Sequence, residues 1–68
     1  MKLSARNQLP GTVRSITRGE ATANVELDVA GQRVVASITV EAVEDLGLAE
    51  GSQVTAVIKA SDVMIATA

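Results

Sequence analysis

Sixty-eight residues make one small domain, and a chain of that size buries only about 60% of the surface it exposes when unfolded. It has no Cys and no His, so no disulfide or Cys/His zinc site can staple the core, and the usual nucleophile and base pairs of enzymes are missing. Lys and Arg number 6 against 8 Asp and Glu, a net charge of -2, and no aromatic residue is present, which removes both the cationic field and the stacking platforms that nucleic-acid binders use.

The first strand is predicted over Leu9 to Thr17, where the odd spacing of Val13 and Ile16 implies a bulge or a change of face. Pro10 fits only near a strand start or an edge. Arg18-Gly19 reads as a tight turn. The clearest alternation follows, with Ala21, Ala23, Val25, Leu27 and Val29 apolar and Glu20, Thr22, Asn24, Glu26 and Asp28 polar, which is a half-buried strand. Ala30-Gly31 then supplies a two-residue hairpin connection. Its partner strand is Gln32 to Thr39, with Val34, Ala36 and Ile38 on one face.

Thr39 to Gly47 changes period. Val40, Val43 and Leu46 recur every three residues, Thr39 is placed to cap a helix, Glu41 and Glu44 suit its early turns, and Gly47 is placed to end it. After a turn at Glu50-Gly51, Val54, Ala56 and Ile58 alternate as a fourth strand. Asp62 would anchor a turn into a brief fifth strand over Val63 to Ala66. Three strands, a short helix and two strands is the element order of an OB-type barrel. The expected class is therefore all-β with one short helix, an OB-like five-stranded β-barrel.

With no staple available, a chain that is 47% hydrophobic without one aromatic residue has to bury further apolar area against copies of itself. A homo-oligomer is expected. No apolar run reaches the about 18 residues of a spanning helix, and no signal-peptide core opens the chain. The expected location is the cytoplasm, with no membrane and no nucleic acid among its partners.

Two short segments carry the functional signal. Ser4-Ala5-Arg6-Asn7-Gln8 offers a hydroxyl, a guanidinium and two amides, and Lys59-Ala60-Ser61 pairs an ammonium with a hydroxyl. Neither contains a carboxylate, although acids outnumber bases in the whole chain. Such segments donate hydrogen bonds to an anion. Singly, each residue also has a plainer role: Arg6 as a solvated arginine, Ser4, Asn7 and Gln8 as partners of backbone groups at a strand entry, Lys59 as a guard on an edge strand, Ser61-Asp62 as a turn pair.

Through Ser4 to Gln8, Thr39 to Gly47 and Thr55-Ala56-Val57-Ile58-Lys59-Ala60-Ser61, the whole chain resembles the molbindins, the small Mop-type molybdate-binding proteins whose domain recurs in regulators and transporter ATPases. The resemblance implies one Mop (TOBE-type) domain over residues 1–68, with an OB-like fold. It also implies a homohexamer built as a trimer of dimers, binding molybdate or tungstate between subunits, so that Ser4, Ala5, Arg6, Asn7 and Gln8 of one chain meet Lys59, Ala60 and Ser61 of another. A second type of oxyanion site belongs to the family, and the turn at Arg18 and Gly19 is the candidate for it, with the Glu20 carboxylate arguing against.

The ligand implied is an oxyanion; no organic cofactor and no bare metal cation is expected, and no catalysis. Storage or buffering of molybdate for cofactor synthesis is the first reading, favoured by a chain with no second domain to signal through. The alternative is a regulatory or assembly module that senses the oxyanion and acts on a partner protein. A third reading is a structural oligomer in which Arg6 and Lys59 only bridge subunits.

Overall fold

A computed structural model describes residues 1–68. Strand β1 covers Asn7–Arg18, β2 Thr22–Val29, β3 Gln32–Thr39, helix α1 Val40–Asp45 and β4 Gln53–Ile58, and a single 3₁₀ turn follows over Ala60–Asp62. The strands form one antiparallel sheet in the order β3-β2-β1-β4. The expected architecture, mostly β with one short helix and OB-like, is present.

β1 is the axis of the sheet. Its first half, Asn7 to Thr12, pairs with β4, and its second half, Thr12 to Arg18, pairs with β2. The predicted irregularity lies between Val13 and Ser15, where the register with β2 shifts by one residue at Arg14, and an extra residue of this kind bends a strand and raises its twist. Pro10 lies where β1 has β4 alone beside it, so its missing N–H costs no ladder bond. At Gly11 an added Cβ would sit 2.9 Å from the Asp28 carbonyl oxygen and 2.9 Å from Val29 Cγ2. Only glycine lets the two strands approach so closely there.

The β2–β3 hairpin turns on Ala30 and Gly31, with φ of 50° and 85°, the paired positive values of a type I′ turn that matches the strand twist. Asp28 Oδ1 accepts from the Gly31 N–H at 2.9 Å and fixes it. Helix α1 begins as expected, Thr39 Oγ1 accepting from the Ala42 N–H at 3.0 Å. It ends in a Schellman arrangement: Gly47, at φ 62°, donates to the Glu44 carbonyl and Leu48 to that of Val43, both at 3.0 Å. Val43, fully buried, plugs the helix onto the sheet.

The fifth strand does not form. Residues 63–68 have no regular structure and are exposed, so within one chain the sheet has four strands and the barrel stays open between β3 and β4. The reason is pairing: a strand with apolar residues on both faces, as Val63 to Ala66 has, gains its stability from neighbours on each side, and here the 3₁₀ turn leads the chain away from the sheet. Asp62 lies in that turn as expected, its backbone N–H donating to the Lys59 carbonyl at 2.9 Å.

The core is correspondingly thin. Val13, Ala23, Val25, Leu27 and Val43 are buried, with Ile16, Val34, Ala36, Ile38, Val54 and Ala56 half-buried around them. A compact monomer of 7.0 kDa exposes about 4,000 Å², whereas this chain exposes 5252 Å². Large apolar side chains share in that exposed surface: Met1, Leu3, Val35, Leu46, Val57, Val63, Met64 and Ile65 are all exposed.

Candidate functional site

The β1–β4 ladder decides where the two donor segments lie. Asn7 is paired with Ile58 and Gln8 with Val57, so the start of β1 and the end of β4 are neighbours at one end of the sheet. Ser4-Ala5-Arg6 runs into that end and Lys59-Ala60-Ser61 runs out of it. The sequence reading placed their meeting between chains; the fold already brings them side by side within one chain.

Locally, each segment lies where its backbone is free. Ser4, Ala5 and Arg6 precede the first ladder position, and outside the ladders none of their N–H groups has an acceptor in the chain. The Gln8 side chain donates to the Ala5 carbonyl at 3.2 Å and holds the segment's bend. The hydroxyls of Ser4 and Ser61, the Asn7 amide, the Arg6 fork and the Lys59 ammonium make no hydrogen bond or ion pair within the chain. Ser4, Arg6, Gln8, Lys59, Ala60 and Ser61 are exposed, and Ala5 and Asn7 are half-buried.

The other cations of the sheet are treated differently. Arg33 on β3 donates from Nε to Glu26 on β2, and Arg14 at the bulge lies 3.9 Å from Asp28. The hydrogen bond from Arg33 is the largest influence on Glu26 and lowers its pKa below 4.5, with the Arg14 charge and Ser15 acting in the same direction. These four charges cancel on one face of the sheet. Arg6, Arg18, Lys2 and Lys59 have no carboxylate within ion-pair distance, and two of these four converge at the β1–β4 end.

Arg18 and Gly19 lie at the opposite end of β1, roughly 35 Å away measured along the strand. Arg18 is the last residue of β1, paired with Ala23, and the Gly19 N–H donates to the Thr22 carbonyl at 2.8 Å. This turn is exposed and is closed on itself. The structure therefore keeps the two candidate sites apart.

The donors at the β1–β4 end line no cavity of the chain. The concavities are elsewhere, and the more apolar of them is a groove of about 410 Å³ between the free edges of β3 and β4, walled by Val34, Ala36, Ile38, Val54, Ala56 and Ile58. The pairing of Asn7 with Ile58 and the open groove were not read from the sequence. Alternation names the apolar positions of a strand, and it does not name the strand lying beside them.

The TOBE domain matches residues 3–65, which span the whole antiparallel sheet and both donor segments. Within that class the chain belongs to the Mop family of small molybdenum-pterin-binding proteins, the molbindins. It is 50% identical over 66 residues to molybdenum-pterin-binding protein 3 of Clostridium pasteurianum, covering 96% of this chain and 97% of that one. A molybdate-binding protein from Sporomusa ovata superposes with a TM-score of 0.95 at 40% identity, over 98% of this chain and all of the other. ModG, a cytoplasmic molybdate-binding protein solved with molybdate bound, superposes at 0.90 and 46% identity, over 94% of this chain and 46% of its own length.

Proposed function

We propose that this chain, as a single Mop domain, stores or buffers molybdate, or tungstate, in the cytoplasm without performing chemistry on it. The observation that carries the reading is the pair of uncompensated cations: Arg6 and Lys59 flank adjacent ends of β1 and β4 with no carboxylate partner, while Arg14 and Arg33 are neutralised within the sheet. Molybdate is a tetrahedral dianion at neutral pH with no proton to give. A site made only of donors suits it: backbone N–H groups of Ala5 and Arg6, the hydroxyls of Ser4 and Ser61, the amides of Asn7 and Gln8, the Arg6 fork and the Lys59 ammonium. Protonated phosphate would leave its own donor unmatched in such a site, and that mismatch disfavours it.

One chain supplies these donors on an open surface, where water competes for every hydrogen bond. A second chain laid over the β1–β4 end supplies the missing wall and excludes that water, which strengthens each charge-assisted bond. The surplus apolar surface supports such an assembly, a homo-oligomer expected to be a hexamer built as a trimer of dimers. Molybdate would then stabilise the assembled particle over its free chains by mass action. The Arg18-Gly19 turn is retained as a candidate second site.

Equilibrium dialysis against molybdate, read by metal analysis, tests the reading on the intact protein and on Arg6→Ala. Saturable uptake that drops at least about tenfold in affinity in the variant, the size expected for losing charge-assisted hydrogen bonds, supports it. Equal uptake by both moves the site away from β1.

A further inference from the structure

The chain has two lysines, Lys2 and Lys59. Both are exposed, and neither has a carboxylate within ion-pair distance. Their surroundings differ. Lys59 follows Ile58, whose ladder partner is Asn7, so it leaves the sheet beside the donors of Ser4 to Gln8. Met1, by contrast, lines a second concavity with Pro10, Leu46 and Gln53, and Gln53 stands opposite Thr12 at the other end of β4 from Ile58. Lys2, next to Met1, is thereby led away from the donor end. We propose that Lys59 is a site of acylation, modified on Nζ by an acyl phosphate that seats its phosphoryl end among these donors. The inference rests on the anion site proposed above and gives it a second, reactive class of ligand.

The fit follows from charge and shape. The phosphoryl end of an acyl phosphate is tetrahedral, and it is a stronger acid than inorganic phosphate, so at neutral pH it is a dianion with no proton left. A donor-only site takes it on the same terms as molybdate. The Arg6 fork and the hydroxyls of Ser4 and Ser61 give hydrogen bonds to its oxygens, and no carboxylate is within ion-pair distance of Arg6 or Lys59 to compete for them. The acyl group then lies within reach of the one amine at that end of the sheet.

The step balances without an oxidant or a reductant. A lysine attacks as its free amine. Lys59 Nζ adds to the acyl carbonyl carbon, the bond from that carbon to the bridging oxygen breaks, and its electron pair leaves with the phosphate. The proton lost from nitrogen ends on the departing phosphate, so the products are an amide on Nζ and the hydrogen phosphate dianion. Holding the acyl donor beside the amine raises the rate over an encounter in solution. Arg6 faces the charge that develops on the leaving oxygen.

Two consequences follow for the site. The hydrogen phosphate left behind carries a proton for which a donor-only site has no acceptor, and that mismatch favours its release. The amide formed on Lys59 carries no charge, so one of the two cations at the β1–β4 end is lost. Acylated protein should bind molybdate about tenfold more weakly, as expected for losing the Lys59 charge. Acylation therefore empties the site.

The test uses Lys2 as the reference within the same chain. The natural protein, freed of oxyanions, is treated with acetyl phosphate at neutral pH, hydroxylamine removes any serine esters, and peptide masses give the acetylation of Lys59 relative to Lys2. An uncharged acetyl donor, N-hydroxysuccinimidyl acetate, gives the ratio set by exposure alone. With acetyl phosphate the ratio should exceed that reference by about tenfold or more. Saturating molybdate, with uptake checked by dialysis on the same preparation, should return it to the reference, and Arg6→Ala should do the same. Equal ratios with the two donors overturn the proposal, and in a protein that takes up molybdate they leave the anion reading standing. A preference for Lys59 that bound molybdate does not suppress also overturns it. A preference that is lost in Arg6→Ala, in a protein that takes up no molybdate, supports acylation and refutes the molybdate reading alone. The main comparison is made on the natural chain, so no variant has to fold for it to decide.

Discussion

The outer face of the β1–β2–β3 sheet and the β1–β4 end use the same residue types to opposite effect. On the face, Arg14 and Arg33 stand opposite Asp28 and Glu26, and each charge is compensated within the chain. At the end, Arg6 and Lys59 have no carboxylate within ion-pair distance, and the backbone N–H groups of Ser4 to Arg6 have no acceptor outside the ladders. An exposed ion pair contributes little to stability, so the face needs its pairs mainly for solubility and strand register. The donor-rich end forms no ion pair within one chain. Its composition makes sense as a place kept open for an anion.

Substitutions can break that contrast in graded steps. Reversing the charge with Arg6→Glu should have the largest effect, lowering molybdate affinity by about a hundredfold or more, because it removes a charge-assisted donor and adds a repelling charge. Dialysis at constant ionic strength checks it, and the urea midpoint should stay put. Lys59→Ala removes a single point charge and should cost about tenfold. A Gly11→Ala variant acts on the scaffold instead: its Cβ meets the Asp28 carbonyl and the Val29 side chain, so the crossing of β1 over β2 is strained by about 1–3 kcal/mol. Chemical denaturation would show the loss.

On the paired face the expected effects are smaller. Ala30 holds a positive φ, and Ala30→Asn, a residue that accepts this conformation in a type I′ turn, should stabilise the hairpin by about 1 kcal/mol. Glu26→Gln should lower the urea midpoint only slightly at neutral pH and leave molybdate uptake unchanged. Its sign follows from the lowered pKa of Glu26: the carboxylate's contribution is complete above its unfolded value of about 4.5 and is lost as the pH falls through the lower folded value. Parent and variant should therefore converge in stability in acid. A gap that widens there would contradict the pairing.

Much of this was legible in the residues. Alternation from Ala23 to Leu27 marked the buried face of β2, the Val13 to Ile16 spacing marked the bulge, and Thr39 and Gly47 bracketed α1, because each of these signals is local. The donor segments were legible too, as composition. What the sequence withheld is non-local. Nothing in Asn7 announces that Ile58 lies beside it, and the short apolar run Val63 to Ala66 predicts a fifth strand although the chain offers that segment no partner of its own. Strand formation is decided by neighbours, and within one chain the tail has none.

On this reading the donor-rich end of the sheet takes up a dianion in an assembled particle. Isothermal titration of the oxyanion-free protein with molybdate, repeated with sulfate and phosphate and paired with the native mass of the particle, tests it most directly; heat is the practical signal in a chain without aromatic residues. The prediction is saturable heat with molybdate, little with sulfate or phosphate, and a mass several times 7.0 kDa. No heat with any of the three anions from a properly assembled particle would contradict the claim and leave Arg6 and Lys59 as bridges between subunits.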